Sequence, residues 1–378
     1  MYSKLKKRLD GFLFYGLPGY DVAVMRDGEL VCRITEGYRD LAKTKPLDGT
    51  EHYNLYSCSK LITVTAALLL LERGIIRLDD PVSDYLPAYG SLTVKQKDGS
   101  VAPAKNVMRV FNLFTMTAGL AYPTTGPWID KVREETNGRC PTVEAMQALA
   151  SVPLEYEPGE SWLYSQGHDV LAAVVEVASG MRFGEFVKRE IFLPLGMHDS
   201  TFLLPSSELS QVTDQFRFTP AGIVDVGHEI CGYKLGSEYE SGGAGCVSTM
   251  HDYLLFLEAL RTDKILAPET ARLMTTPQLD EKMLAGFSKR SPVLCDMSYG
   301  YGLGVRCPLP GSKTVSDFGW GGAAGAFAAV DKSLGYSLFY LQHALNSPFG
   351  AKRTPMIGDL PFARTATAEA STDTHLTY

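Results

Sequence analysis

Ser57 and Lys60 stand three residues apart at the head of an apolar run, in the stretch NLYSCSKLITVTAALLLLERG from Asn54 to Gly74. If this stretch is helical, positions i and i+3 share a face, and the serine hydroxyl comes within reach of the lysine amine. A helix N-terminus adds partial positive charge and unpaired backbone N–H groups, which favour negative charge on an oxygen held there. A lysine pressed against Leu61 to Leu71 is costly to keep charged, which suits it to accept a proton. Ser57 is thus a candidate nucleophile and Lys60 its candidate base. The spacing by itself is unspecific, because Ser3-Lys4-Leu5-Lys6 repeats it without an apolar helix behind. An N-cap serine followed by a lysine that snorkels to solvent would look the same.

The elements that must position this pair can be read from periodicity. Residues Tyr20 to Glu36 alternate apolar and polar around Arg26-Asp27-Gly28, which predicts two antiparallel strands and a tight turn. The Ser57 helix follows and closes at Gly74. Asp80-Pro81 reads as the start of a short helix to Tyr85. The middle of the chain is mainly helical: Gly167 to Ser179 carries Val170, Leu171, Val174, Val175 and Ala178 at helical spacing, and Phe183 to Phe192 follows. Thr249 and Asp252 stand at capping-box spacing before a helix with Leu254, Leu255, Leu257 and Leu260. After it, Gly300–Val305, Thr314–Phe318, Gly325–Val330 and Leu338–Gln342 read as strands between Gly- and Pro-rich turns. Strands at both ends around a helical middle predict an α+β fold. An antiparallel sheet, flanked by helices, is built from residues 1–80 and 241–355, and a mainly helical subdomain at 81–240 is inserted into it. The polar stretch 356–378 reads as a weakly packed tail.

Composition narrows the function classes. The 378 residues carry a formal net charge of -7 and are 45% hydrophobic, as in an ordinary globular protein. Nucleic acid is excluded as a general partner, because the basic residues form no face beyond Lys4, Lys6, Lys7 and Arg8, which read as a solvated helix side. Seven scattered cysteines without a Cys-x-x-Cys pair point to free thiols in a reducing compartment. No signal peptide is read at the N-terminus, and the longest apolar run falls short of the ~20 residues of a membrane span, so a cytoplasmic protein is expected. The histidines lack His-x-x-x-His or His-Glu-x-x-His spacing, so no metal is expected. Ser241 to Gly245 is glycine-rich yet lacks the phosphate-loop pattern, and no cofactor is implied. Gly-x-Ser-x-Gly is absent, against an α/β-hydrolase elbow.

Several linked segments carry a resemblance. LERGIIRLDDPVSDYLP after the Ser57 helix, NLFTMTAGL at Asn112–Leu120, PLEYEPGESWLYSQGHDVLAAVVEVASG at Pro153–Gly180, FLPLGMHDST at Phe192–Thr201 and SGGAGCVSTMHD at Ser241–Asp252 occur in one order. From about Gly19 to about His343 the chain resembles the serine β-lactamase and penicillin-binding-protein-like superfamily, in its class C-like branch, with motifs nearest the esterases of that fold. The resemblance implies Ser57 and Lys60 as the Ser-x-x-Lys pair. It implies Tyr164 as the tyrosine of a Tyr-x-Asn motif, since a neighbouring ammonium stabilises a phenolate that can exchange protons with Ser57. Gln166 then replaces the usual Asn and keeps its amide one methylene further out.

The family's third motif, Lys-Thr-Gly or His-x-Gly, corresponds to Trp320-Gly321-Gly322, while Lys313-Thr314-Val315 lacks the glycine. By that match the N–H groups of Ser57 and Ala323 form an oxyanion hole. An indole has no charge to attract a substrate carboxylate, so Trp320 favours uncharged acyl esters. Tyr122, Trp128 and Phe216 on subdomain loops hint at an apolar acyl site, and His343, ending the last strand, could approach. The resemblance implies a serine hydrolase that forms an acyl-enzyme with a small ester or amide, esterase-like, with its oligomeric state open. A β-lactamase, a D-amino peptidase, an acyltransferase or a ligand-binding domain that does not turn over would share the fold.

Overall fold

A computed structural model describes residues 1–227 and 233–363 of the chain. The N-terminal helix α1 (Ser3–Phe14) buries Leu5, Leu9 and Phe12 and leaves its lysines in solvent. The expected hairpin follows as β1 (Gly19–Arg26) and β2 (Glu29–Gly37). Asp27 and Gly28 both take positive φ, 51° and 88°, the primed turn that matches the twist of paired strands. Five strands near the C-terminus complete the sheet: β3 (Tyr299–Tyr301), β4 (Arg306–Pro308), β5 (Phe318–Gly321), β6 (Phe327–Asp331) and β7 (Tyr336–Leu341). Their order is β2-β1-β7-β6-β5-β4-β3, antiparallel throughout, so the first and last parts of the chain meet at the β1–β7 ladder, where Ala23 faces Phe339.

Side-chain period 2 divides this sheet between two cores. Ala23, Ala328, Val330, Phe339 and Leu341 face one core, shared with the helices of the chain's middle. Tyr20, Val22, Val24, Leu338 and Tyr340 face the other, covered by α1. The first core surrounds α2 (Ser59–Glu72), buried from Ser59 to Leu70; it packs against α3 (Gly167–Ser179), which ends at Gly180 in the left-handed region. Helix α4 (Met250–Arg261) begins where Thr249 Oγ1 accepts the Asp252 N–H, as the spacing predicts. Its Tyr253 stacks on Phe339 with ring centroids 4.3 Å apart and donates its hydroxyl to the Cys58 carbonyl at 2.7 Å, which ties the sheet to the start of α2.

The structure departs from the sequence reading at several boundaries. Gly300–Val305 is not one strand: Gly304 turns the chain at φ 79°, and the ladder resumes at Arg306. Residues 314–317 precede β5 instead of forming a strand. Pro81 is extended and pairs with Arg109, leaving only a 3-10 turn at Val82–Asp84. Three helices, Pro268–Thr275, Glu281–Arg290 and Pro292–Asp296, lie between α4 and β3, a stretch to which the sequence reading assigned no element. The region read as a helical subdomain also holds the strand pair Gln215–Thr219 and Gly222–Gly227. The tail is packed further than composition suggested, because Met356 and Leu360 fill the second core beside α1; its remainder, 364–378, lies outside the described residues. The six described cysteines are free thiols, and Cys231 lies outside the described residues. Among the described residues no helix is long and apolar enough to cross a membrane.

Phe339 lies at the centre of this arrangement, fully buried between the sheet and α4. Phe339→Ala is expected to lower the unfolding free energy by about 3–5 kcal/mol in urea titrations. A loss below about 1 kcal/mol would contradict this placement.

Candidate functional site

Ser57 occupies a 3-10 turn, Tyr56–Cys58, that leads into α2. Tyr56 before it takes φ 49°, a left-handed conformation that a bulky residue adopts only when its surroundings enforce it. Here the Tyr56 hydroxyl donates to buried Gln215 at 2.7 Å. Three residues on, Lys60 is fully buried, and its Nζ donates to the Gly243 carbonyl at 2.7 Å and to Ser57 Oγ at 3.3 Å. Ser57 Oγ and the Tyr164 hydroxyl share a hydrogen bond. The ammonium also lies 4.6 Å from the ring centroid of Tyr164 and 5.7 Å from that of Tyr122. Hydroxyl, amine and phenol therefore converge within hydrogen-bonding reach of one another.

The carbonyl that holds Lys60 belongs to the glycine-rich stretch 241–245, whose composition has a packing reason. A Cβ on Gly242 would lie 2.5 Å from the His168 carbonyl, and one on Gly243 would lie 2.4 Å from Asp169 Oδ2. The loop thus presses its backbone onto the first turn of α3. Asp169 Oδ1 secures it by accepting from Ser241 Oγ at 2.5 Å and from the Tyr239 hydroxyl at 2.9 Å.

A cleft of about 370 Å³ opens over Ser57, lined also by Tyr164, Tyr233, Trp320, Ala323 and Arg353. Trp320 stacks on Tyr164, centroids 6.0 Å apart and 8° from parallel, and Tyr122 stacks on the far side of Tyr164 at 5.9 Å. Gly321 and Gly322 line the cleft on the β5 edge. At Gly322 the need for a small residue comes from the protein itself, since a Cβ would lie 2.3 Å from the Leu55 carbonyl. Ala323 is exposed in the turn that follows and lines the same cleft as Ser57.

Other expected residues lie elsewhere. Trp128 packs into the helical part of the core and donates Nε1 to the Thr125 carbonyl at 3.2 Å; it does not line the cleft, because Pro127 starts a helix that turns the indole inward. Phe216 belongs to the second core. Gln166 is buried at the head of α3 and is not part of the cleft lining; its Oε1 has no hydrogen-bond partner among the described residues. His343 Nδ1 meets the Thr213 and Asp214 carbonyls at 3.1 Å, away from the cleft lining. Cys58 faces the core, and burial pushes its thiol up to about 12, as expected of a packing residue. Sequence reasoning missed Asp169, Gly243, Tyr233, Arg306 and Arg353. The SGGAG run did signal close backbone approach for Gly243, whereas nothing local marks the two arginines.

A model of the family described as Beta-lactamase matches residues 5–360 of the chain. The chain is similar to the esterase EstB of Burkholderia gladioli, 29% identical over 381 residues that cover 92% of this chain and 91% of EstB. Two solved structures share its fold. One is EstCE1, described as a hydrolase with promiscuous acyltransferase activity, with TM-score 0.74 and 24% identity over 94% of this chain and 97% of that one. The other is the simvastatin synthase LovD of Aspergillus terreus, with TM-score 0.78 and 22% identity over 96% of this chain and 98% of that one.

His168 supplies a test of how dry the floor of the site is. Burial, aided by the nearby Lys60 charge, pushes its imidazole down to about 3, and the ring shares a hydrogen bond with the Phe114 carbonyl at 3.2 Å. An unfolded histidine titrates near ~6.5, so between that pH and about 3 the unfolded chain holds a proton that the folded chain lacks. Stability from His168 is complete above that window and falls as pH drops through it. Denaturant titrations at pH 7 and pH 5 should show a loss about 2 kcal/mol larger in the parent than in His168→Gln. Equal losses in the two proteins would refute the burial argument.

Proposed function

The chain belongs to the beta-lactamase family, and from that premise we propose that it is an esterase-like serine hydrolase in which Ser57 is the nucleophile and Lys60 and Tyr164 relay its proton. The observation that carries this reading is the convergence of Ser57 Oγ, the Tyr164 hydroxyl and buried Lys60 Nζ, with Ser57 and Tyr164 lining one cleft.

Ser57 Oγ attacks the carbonyl carbon of an ester or amide while its proton passes to the Tyr164–Lys60 pair. Lys60, fixed by Gly243, holds its place beside Ser57 and Tyr164 throughout these steps. The carbonyl oxygen turns towards the backbone N–H groups of Ser57 and Ala323, each such donor contributing typically ~3 kcal/mol in the transition state. Tyr164 then gives the proton to the departing alcohol or amine, and the C–O or C–N bond breaks to leave an acyl-Ser57 ester. Water repeats the sequence: it loses a proton to the relay, attacks the acyl carbon, and releases the acid while Ser57 Oγ regains its hydrogen.

Similarity to EstB and to EstCE1 supports the esterase reading, and the promiscuous acyl transfer described for EstCE1 points to alcohols as second acceptors for the same acyl-enzyme. No nucleic acid, metal or cofactor enters these steps; the partner is a small-molecule substrate. With p-nitrophenyl acetate, Ser57→Ala should show no turnover, and Tyr164→Phe should lose at least about a hundredfold in kcat, the scale of a proton-transfer group. Full ester activity in Ser57→Ala would overturn the assignment.

A further inference from the structure

Ser57 is held from behind by the residue that precedes it. The Tyr56 side chain is buried, and its hydroxyl donates to Gln215 Oε1, also buried, at 2.7 Å. Its ring packs in one small cluster with Ala244 and Ala324, bordered by Tyr233, whose ring meets it edge-on with centroids 6.1 Å apart. Ala244 follows Gly243, whose carbonyl holds Lys60. Ala324 follows Ala323, which lines the cleft beside Ser57. Gln215 begins the strand Gln215–Thr219, and the next residue, Phe216, pairs in parallel with Ala344. The Ala344 N–H in turn donates to the Ala324 carbonyl at 2.9 Å. The contacts thus close a ring that runs from the Ser57 turn through Tyr56, Gln215 and Ala344 to the turn that carries Ala323.

We propose that Tyr56 is a positioning residue, a strut anchored on Gln215 that sets Ser57 Oγ and the Ser57 N–H against the Ala323 N–H. The proposal rests on Ser57 as nucleophile and adds what fixes its approach to the substrate carbonyl. A tyrosine that only filled space would have no reason to stand at φ 49°, a conformation that glycine takes without strain. Rotation about the Tyr56 N–Cα bond towards an ordinary φ carries the next peptide unit with it, and that unit contains the Ser57 N–H. The bond from the Tyr56 hydroxyl to Gln215 and the seat of its ring against Ala244 and Ala324 oppose this rotation. Donors aimed at a developing oxyanion work only when they are fixed beforehand, and a misplacement of about 1 Å can cost on the order of a hundredfold in rate. One side chain here touches the neighbours of both Gly243 and Ala323, so the base and the oxyanion donors are adjusted against a common support.

The experiment measures p-nitrophenyl acetate kinetics in the parent, Tyr56→Phe, Gln215→Met and the double variant, with circular dichroism melts to show that each is folded. Tyr56→Phe should lose at least about tenfold in kcat while KM stays within about threefold, because the strut acts on the reacting geometry and not on the walls of the cleft. Gln215→Met should lose about as much, and the double variant no more than either single one, since both changes remove the same bond. The rate at which a fluorophosphonate labels Ser57 should fall in parallel, as phosphonylation needs the same placement of the serine oxygen. If Gln215→Met does not fold, the ester and labelling rates of Tyr56→Phe decide by themselves. Parent-like kcat and labelling in folded Tyr56→Phe, a loss confined to KM, or losses that multiply in the double variant would overturn the strut and leave the hydrolase standing. A parent that neither cleaves the acetate nor takes the fluorophosphonate would overturn the hydrolase and the strut with it.

Discussion

The site is organised by the need to satisfy one ammonium group sealed from water. Lys60 has three donor hydrogens and no solvent, and a buried charge without partners costs several kcal/mol. Its partners come from segments far apart in sequence: Ser57 beside it, the Gly243 carbonyl, and the faces of Tyr164 and Tyr122. Each of these is itself constrained. Gly243 can reach the amine only because the loop lies flat against α3, and Asp169 fixes that loop through Ser241 and Tyr239. Disturbing Asp169 would therefore be felt at Ser57 without any contact between the two.

The sheet imposes a second constraint. Its central strands are buried on both faces, so a register slip would exchange the two cores, and the alternation of Phe339 with Leu338 and Tyr340 makes that exchange unfavourable. A fixed register at β5 places Trp320 opposite Ala328 and leaves Gly321 and Gly322 at the edge, where Gly322 rests on the Leu55 carbonyl two residues before Ser57. The Ser57 turn and the strand that walls its cleft thus share a backbone contact in which a side chain has no room.

Much of this was legible in the sequence, for reasons that differ by element. Helix α3 was found at both ends, because an apolar 3.6-residue pattern ended at a glycine that does adopt the left-handed form. The cap at Thr249 and the Asp27-Gly28 turn were equally local signals. Ser57, Lys60 and Tyr164 were legible only as members of several linked motifs, since Ser3 and Lys6 show the same spacing. Gly300–Val305 was read as one strand because Gly304 inside an apolar run looks like part of it, so the turn was missed and β4 beyond it went unread. Trp128 and Phe216 misled because an aromatic residue on a loop reads the same whether it lines a cleft or fills a core. The two arginines carried no sign at all: being charged, they were expected in water, and only the three-dimensional arrangement places them beside Ser57.

Arg353 reaches the cleft from the short segment Gly350–Thr354, downstream of every element that supports the Ser57 relay. The Ser57 turn and this part of the cleft wall come in this way from separate stretches of polypeptide. Exchange of a few residues close to the end of the described chain could retune which molecules are admitted while the chemical apparatus stays as it is, a division of labour open to gradual divergence and to deliberate grafting.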